Sequence, residues 1–286
     1  MEQKPILIQG AMEDEIALIK EKMEEVEKIK LYDYIFYKGK IDEYPIILSK
    51  TQVGLMNVTA ATVVGIINFS PCLIINQGVA GGITKDVHKG NLVIGENCIN
   101  INSFQTPYKE EGKGSNSLEW ELKTFKEGID ELVVLKANEE LVKLAKEEAE
   151  KQHFSYKVGT MGSGDVWNAE KDRMLWLSEK YNILCEDMET IGAYQMGIKF
   201  NIPTIGIRVL SDNLLLGEEY DKSVGRIGQE YVYNLVKRTI GTDLFVPISE
   251  HRGRTWKKII KNKNKPKNLI LLNLVCRWLK EEKKWK

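Results

Sequence analysis

Four carboxylates lie close together in the second half of the chain, at the predicted ends of two strands. Glu186, Asp187 and Glu189 follow one short apolar segment, and Asp212 follows the apolar run 203–209. An acid at the carboxyl end of a buried strand borders both the low-dielectric core and an open crevice, so its pKa can be tuned for acid–base chemistry. The structural alternative is that three acids favour the positive end of a helix dipole and that Asp212 caps a turn. Taken singly, each acid fits that alternative better.

A further acid, Glu15, lies in the first turn of a predicted amino-terminal helix. The apolar run 5–9 predicts a buried strand, and the helix after it begins with three consecutive acids. Negative charge is favourable near the exposed amides of a first helical turn, and this effect alone explains the presence of two of the three acids. Glu15 stands three residues after Met12, so both side chains project from the same side of the turn, above the strand end. We therefore single out Glu15 as a candidate for chemistry.

Two glycine-containing segments are predicted at strand ends, where backbone could approach a ligand closely. Residues 71–77 predict a central strand, and we expect it to end in a glycine-rich loop at 78–82, with more glycines than the alternative, a tight turn, would need. The segment 162–168 carries Trp167 between an acid and an amide. That arrangement suits stacking on a flat heterocycle and hydrogen bonding to its edge. The alternative for Trp167 is a place in the core.

The order of predicted elements indicates the fold class. Predicted helices cover residues 56–69, 141–151, 171–181 and a segment that ends at Phe200. A hairpin with its turn at Gly39 is predicted in the first half. Strands that alternate with helices predict a three-layer α/β/α sandwich with a mixed, mostly parallel central sheet. Ligands in such folds gather at the carboxyl ends of strands, where the acids and the glycine-rich segments fall.

Charge divides the chain into a body and a tail. We predict one domain over residues 1–245, with 102–131 as an insert or lid, and a basic extension over 246–286. From His251 onward there are thirteen Lys and Arg against two Glu, whereas residues 1–250 carry 28 basic and 39 acidic groups. For the tail we favour docking on the acidic body or a poorly ordered extension. Contact with an anionic membrane face or with nucleic acid is the alternative.

Several functional classes are not indicated. The four cysteines show no paired metal-type spacing, which suits a reducing cytoplasm and predicts no metal site. The amino terminus has no signal-type apolar segment, and no run approaches the roughly 20 apolar residues of a spanning helix. We expect a cytoplasmic protein without a metal or an organic cofactor.

Five segments, taken together, resemble the nucleoside phosphorylase and nucleosidase superfamily. They are residues 10–15, 76–82, 163–165, 187–189 and 208–212. Their order and spacing most resemble those of 5′-methylthioadenosine/S-adenosylhomocysteine nucleosidases, from about residue 6 to residue 240. The resemblance implies hydrolysis of the N-glycosidic bond of such adenine nucleosides, with release of adenine and a 5-thio-substituted ribose. It also implies a homodimer, no bound nucleic acid and a role in methionine salvage.

The resemblance implies roles for particular residues. Cleavage needs a proton on the departing adenine and a nucleophile for the sugar carbon. Asp212 corresponds to the acid that serves purine N7, and Glu15 to the group that positions and deprotonates water. The other correspondences concern substrate binding: Glu189 to the carboxylate that holds the ribose hydroxyls, Met188 to the residue packed on the sugar, Trp167 to the aromatic against the base. Glu186 and Asp187 then keep the structural interpretation.

The remaining predicted substrate-binding residues are Val79, Gly81 and Ser211. Val79 stands where nucleosidases often have a small hydroxyl residue near the catalytic acid.

Two other functions stay open. Phosphorylases of this superfamily carry a basic residue in the first strand-to-helix turn, whereas this chain has Met12 followed by three acids that would repel phosphate. The first alternative is nevertheless a phosphate-dependent purine nucleoside phosphorylase. The second is a nucleoside-binding protein without turnover, and the joint presence of Glu15, Glu189 and Asp212 argues against it.

Overall fold

The computed structural model describes residues 3–129, 131–240 and 242. The strands are β1 (Ile6–Gly10), β2 (Glu24–Leu31), β3 (Tyr34–Ile41), β4 (Tyr44–Lys50), β5 (Leu73–Gly82), β6 (Leu92–Asn100), β7 (Phe104–Gln105), β8 (Glu121–Leu122), β9 (Leu135–Lys136), β10 (Tyr156–Ser163), β11 (Ile183–Asp187) and β12 (Thr204–Asp212). The helices are α1 (Glu13–Lys22), α2 (Leu55–Phe69), α3 (Glu139–Lys151), α4 (Lys171–Tyr181), α5 (Thr190–Phe200) and α6 (Val224–Thr239). Within these ranges no helix has the length and apolar character needed to cross a membrane. The predicted basic tail lies outside the described residues.

Ten strands form one mixed sheet, which confirms the predicted fold class. Its order is β11-β10-β6-β12-β5-β1-β4-β3-β2, with β9 beside β6. Parallel pairing joins β4, β1, β5 and β12, and likewise β6, β10 and β11. Antiparallel pairing joins β2, β3 and β4, and it also joins β6 to β12 and to β9. The sheet thus combines the two ladder types that the sequence predicted.

The sheet also curls until β11 pairs with β5. This antiparallel pairing joins Cys185 to Gly82 and Glu186 to Gly81. Five strands, β5, β12, β6, β10 and β11, therefore close into a ring. On its other side Gly81 is the register partner of Asp212 in β12. The ring thus brings the carboxyl ends of β5, β11 and β12 to one place.

Helices cover the sheet on both faces because its central strands are apolar on both sides. Alternate residues of a strand point to opposite faces. In β1, Ile6 and Ile8 join the cluster that includes Ile16 of α1, whereas Leu7 joins the cluster that includes Ile66 of α2. All of these side chains are buried. The strands are therefore held in a three-layer arrangement that fixes their ends.

The predicted hairpin turn at Gly39 is wrong. Strand β3 continues through Gly39, and the turn to β4 lies at Asp42 and Glu43, which both have positive φ. Gly39 serves close packing instead, since a Cβ atom there would lie 2.7 Å from the carbonyl oxygen of Glu24. Glycine at this position permits the approach of the edge strand β2.

The predicted loop at 78–82 is also wrong, because β5 extends to Gly82. The expected close approach is present, but protein groups make it. A Cβ atom at Gly78 would lie 2.5 Å from Oε1 of Glu15, and one at Gly82 would lie 2.9 Å from Nδ2 of Asn213. The glycines therefore let polar side chains lie directly against the strand end.

The predicted insert or lid, 102–131, contains a small two-stranded sheet of β7 and β8 in its described residues. The ring of Phe104 stacks on that of Trp120, with centroids 4.4 Å apart. Whether the segment acts as a lid stays a prediction.

Candidate active site

A cavity opens at the carboxyl ends of β1, β5, β11 and β12. Together with the space at its open mouth, it encloses about 810 Å³. Every residue that the sequence predicted for the site lines it: Glu15, Val79, Gly81, Trp167, Met188, Glu189, Ser211 and Asp212. Residues almost two hundred positions apart in the sequence are thus brought together, while their individual roles remain proposals.

Glu15 is fixed in the cavity wall by three backbone amides. As the third residue of α1 it reaches back over the helix start, and its Oε2 accepts from the N–H groups of Ala11 (2.7 Å) and Met12 (3.1 Å). Its Oε1 accepts from the N–H of Val79 in β5 (3.1 Å). Burial raises the pKa of Glu15, against the opposing effects of Arg208 and the amides. A carboxylate held this way is more basic than an ordinary glutamate.

Glu189 lies at the start of α5, beside the same cavity. Its Oε1 accepts from the N–H of Gly54 at 3.0 Å, and its Oε2 is 3.9 Å from Nη2 of Arg208. Burial, together with the negative charge of Asp187, raises the pKa of Glu189 to about 7. Gly54 and Arg208, which do not line the cavity, therefore position the carboxyl group of Glu189, and Glu189 itself lines the cavity.

Arg208 and Asp187 form a buried ion pair next to Glu189 and Glu15. Arg208 of β12 is almost fully buried, and its Nε lies 2.9 Å from Oδ2 of Asp187, although the N–H is not aligned for a hydrogen bond. Its Nη2 donates to Oδ1 of Asn76 at 2.6 Å. Asp187 also accepts from the N–H groups of Glu189 and Thr190, each at 3.1 Å. These contacts agree with the prediction that Asp187 has a structural role at the start of a helix.

Asp212 ends β12 and lies against Gly81. The hydroxyl of Ser211 donates to Oδ1 of Asp212 at 2.6 Å. A Cβ atom at Gly81 would lie 3.4 Å from Oδ2 of Asp212. The carboxyl group is thus oriented from one side by Ser211 and rests on a strand position without a side chain.

Two aromatic side chains face each other at the cavity. Trp167 is 72% exposed, which rules out a core position for it, and Tyr220 is 45% exposed. Their ring centroids are 5.9 Å apart with planes inclined by 55°. Exposed aromatic faces on one cavity suit a flat ligand.

The sequence analysis did not predict the position of Tyr220 at the cavity or that of Arg208 behind it. Tyr220 lies in the acidic loop after β12, where no periodicity marks it. Arg208 left a signal, because a single cation inside the apolar run 203–209 needs a buried partner. That partner is Asp187.

The structural interpretation of Glu186 is incomplete, because this side chain also lines the cavity. Nδ2 of Asn168 donates to its Oε1 at 3.2 Å. Burial raises the pKa of Glu186 to about 7, against the opposing effects of Asn168 and Arg173. The segment from the end of β11 to the start of α5 therefore supplies three acids to the cavity, Glu186, Asp187 and Glu189. Of these, only Glu189 was predicted as a site residue.

We expect Glu186→Gln to stabilise the protein increasingly as the pH rises. Glu186 has a folded-state pKa of about 7, above the ordinary value of 4.5. Between these values the unfolded glutamate is ionised while the folded one stays protonated, so folding becomes less favourable as the pH rises. Glutamine has no such dependence. The difference in melting temperature between variant and native protein should grow from pH 4.5 to about 7. A constant difference across this window would contradict the assigned burial.

Metal ligands are not grouped in the part of the chain that the structure describes: no three or more His, Cys, Asp or Glu side chains are placed to hold an ion. The lack of a metal or cofactor stays a prediction.

Comparisons with known proteins relate this chain to one family. A sequence model of the phosphorylase superfamily matches residues 5–241. A 5′-methylthioadenosine/S-adenosylhomocysteine nucleosidase from Oceanobacillus iheyensis is 26% identical over 237 residues, which cover 80% of this chain and 97% of that protein.

Two solved structures share the fold. The 5′-methylthioadenosine/S-adenosylhomocysteine nucleosidase of Helicobacter pylori with butyl-thio-DADMe-Immucillin-A gives a TM-score of 0.71 at 23% identity, over 83% of this chain and 99% of its own. The futalosine hydrolase of the same organism gives a TM-score of 0.69 at 23% identity. The match covers 82% of this chain and 97% of that protein.

Proposed function

The chain belongs to the phosphorylase superfamily, and on that premise we propose that it is a purine nucleosidase. Its substrates are 5′-methylthioadenosine, S-adenosylhomocysteine and similar adenine nucleosides, and its products are adenine and a 5-thio-substituted ribose. Family membership confirms the resemblance inferred from the five sequence segments. The names of relatives such as the Oceanobacillus enzyme support the substrate class.

One observation carries the proposal: strand β5 spaces a candidate base and a candidate acid along one cavity wall. Glu15 meets β5 at the N–H of Val79, and Asp212 meets it at Gly81. Two residues of a strand span roughly 7 Å. A sugar carbon and the base attached to it fit between groups at that separation.

The proposed mechanism assigns one task to each group. Asp212 donates a proton to N7 of the departing adenine, because an adenine anion is a poor leaving group. Glu15 holds a water molecule against the electron-poor sugar carbon and accepts its proton. Glu189 accepts hydrogen bonds from the ribose hydroxyls while Met188 packs on the sugar. Trp167 stacks on the base.

Charge supports water over phosphate as the nucleophile. Five acids line the cavity: Glu15, Glu186, Asp187, Glu189 and Asp212. Among the described lining residues there is no Lys, Arg or His. The buried charge of Arg208 is already matched by Asp187 and Glu189. An anionic nucleophile would meet repulsion here, whereas a neutral one would not.

The proposal is tested by incubating the purified chain with 5′-methylthioadenosine and measuring free adenine and free thiosugar. We expect both products in equal amounts. Saturable nucleoside binding without any adenine release would instead support the binding protein without turnover.

We expect Trp167→Ala to raise KM for 5′-methylthioadenosine roughly ten- to a hundredfold, with a smaller effect on kcat. Stacking on an aromatic side chain contributes about 1–3 kcal/mol per base. Tyr32→Ala, which removes another exposed aromatic side chain that does not line the cavity, serves as the matched control. An unchanged KM for Trp167→Ala would mean that Trp167 does not stack on the base.

We also propose a cytoplasmic homodimer that acts in methionine salvage, with residues 1–245 as the catalytic domain. Exposed apolar side chains on α2 support self-association, since Met56 is 83% and Ile67 is 68% exposed. Light scattering of the purified chain tests the dimer, and a monomeric mass at working concentrations would overturn it.

A further inference from the structure

Glu186 is a buried acid at the cavity to which the mechanism above gives no task. It stands at the end of β11, and its register partner across the ring is Gly81. The same Gly81 has Asp212 as its partner on the other side. Neighbouring strands lie about 5 Å apart, so the backbones of Glu186 and Asp212 are roughly 10 Å from each other. Two carboxyl groups therefore line one cavity from strands on either side of β5.

The position of Glu186 relative to the aromatic platform suggests which part of a substrate it meets. Its Oε1 is bound by Asn168, the residue directly after Trp167. Trp167 lines the same cavity and is exposed for stacking. N7 and the 6-amino group lie side by side on one edge of adenine. A base stacked on Trp167 with its N7 towards Asp212 therefore presents its amino group next to Asp212. Glu186, the acid across Gly81 from Asp212, faces that same edge of the base.

The two carboxyl oxygens of Glu186 differ in their surroundings. Oε1 accepts the hydrogen bond from Asn168. Oε2 has no hydrogen-bond partner in the described part of the chain, and it is not among the buried atoms sealed from solvent. A buried acid with one oxygen anchored and the other open to a cavity is positioned to bind a ligand donor.

Building on the proposed nucleosidase function, we propose that Glu186 selects the base, with its Oε2 accepting a hydrogen bond from the 6-amino group of adenine. A 6-oxopurine presents an oxygen at that position, which a carboxylate oxygen repels. Protonation of the departing base at N7 makes its amino group a stronger donor, so the contact strengthens as the bond breaks. Glu186 is thus a substrate-contacting specificity residue in addition to Asp212.

The test compares 5′-methylthioadenosine with 5′-methylthioinosine, which differ at position 6 of the base. It is run at a pH well above the pKa of about 7 of Glu186, so that this carboxyl group is ionised. For the native protein we expect kcat/KM to favour the adenine nucleoside. Glu186→Gln keeps an oxygen for Asn168 and places an amide donor where Oε2 was. We expect it to lower the preference for the adenine nucleoside about 10- to 100-fold, and to turn it towards the inosine nucleoside.

Glu186→Val is the matched variant, since it removes both functions of the side chain. It should bring the two nucleosides closer in kcat/KM without favouring the inosine nucleoside. A side chain that only supports the loop at Asn168 would lower kcat/KM for both nucleosides equally in both variants. An unchanged preference ratio in Glu186→Gln therefore overturns the inference.

Calorimetric binding of free adenine and hypoxanthine to the same proteins separates this inference from the proposed function. If the native protein hydrolyses neither nucleoside, the proposed function fails, and base binding still tests Glu186. We expect adenine to bind more tightly than hypoxanthine to the native protein and this order to reverse in Glu186→Gln. Equal preferences in the two proteins would overturn the inference even where hydrolysis is intact.

Discussion

Replacement of Asp212 by asparagine is expected to lower kcat for 5′-methylthioadenosine by about 10²- to 10⁴-fold, the usual contribution of a positioned acid. Asparagine has nearly the same shape and can still accept the hydrogen bond from Ser211. It has no acidic proton for N7 of adenine. The folded structure and nucleoside binding should therefore persist while the chemical step is lost, as steady-state kinetics and calorimetric binding would show.

Two controls make this result specific. Asp221→Asn changes a partly exposed acid whose carboxylate accepts hydrogen bonds from Ser223 and which does not line the cavity. The kcat of this variant should therefore stay near the native value. The 4-nitrophenyl O-glycoside of 5-methylthioribose releases 4-nitrophenolate, a leaving group that departs without a proton, so Asp212→Asn should lose much less activity on it. Equal losses on both substrates would mean that Asp212 does not act as the acid.

Glu15→Gln is expected to reduce hydrolysis of both 5′-methylthioadenosine and the 4-nitrophenyl glycoside by about 10²- to 10⁴-fold. The attacking water needs a base to accept its proton whichever leaving group departs. The change should also lower the melting temperature. Both oxygens of Glu15 accept backbone N–H groups, from Ala11, Met12 and Val79. The amide NH₂ of glutamine would set a donor against one of these donors.

The matched control for this change is Glu13→Gln. Glu13 lies in the same first turn but pairs with Lys20 and Lys50 outside the cavity lining. Its replacement should leave kcat near the native value. Native kcat in Glu15→Gln, measured at a temperature where the variant is folded, would remove Glu15 from the mechanism.

The pH profile provides a second measure of the same base. Glu15 must be ionised to accept a proton, and burial raises its pKa above the ordinary 4.5. Activity should therefore fall as the pH drops through a value above 4.5, and the pKa of about 7 at Glu189 acts in the same direction. An acid limb at or below 4.5 would contradict the burial of both groups.

Much of the fold follows from local pattern. Helix α4 has the predicted extent, and strand β1 differs from its predicted extent by one residue at each end, because both sequences have a clear pattern and clear ends. The closure of the ring does not follow from pattern, since it depends on β11 meeting β5 at Gly81 and Gly82. Such pairing between segments about a hundred residues apart leaves no local signal. The same limitation explains the error at Gly39, where glycine serves close packing.

The site shows a similar division. Strand ends and the superfamily resemblance placed Glu15, Glu189 and Asp212 on one cavity, as the structure has them. Glu186 was set aside because its sequence position is that of any acid near a helix start. Its exposure to the cavity depends on the curl of β11 and on anchoring by Asn168. Both are tertiary features.

The central claim is that water attacks the sugar carbon. Its most direct test is the sugar product of 5′-methylthioadenosine cleavage, identified by mass spectrometry with and without added inorganic phosphate. The acidic cavity predicts free 5-methylthioribose at the same rate in both conditions. Formation of 5-methylthioribose 1-phosphate, with no adenine release when phosphate is left out, would contradict it.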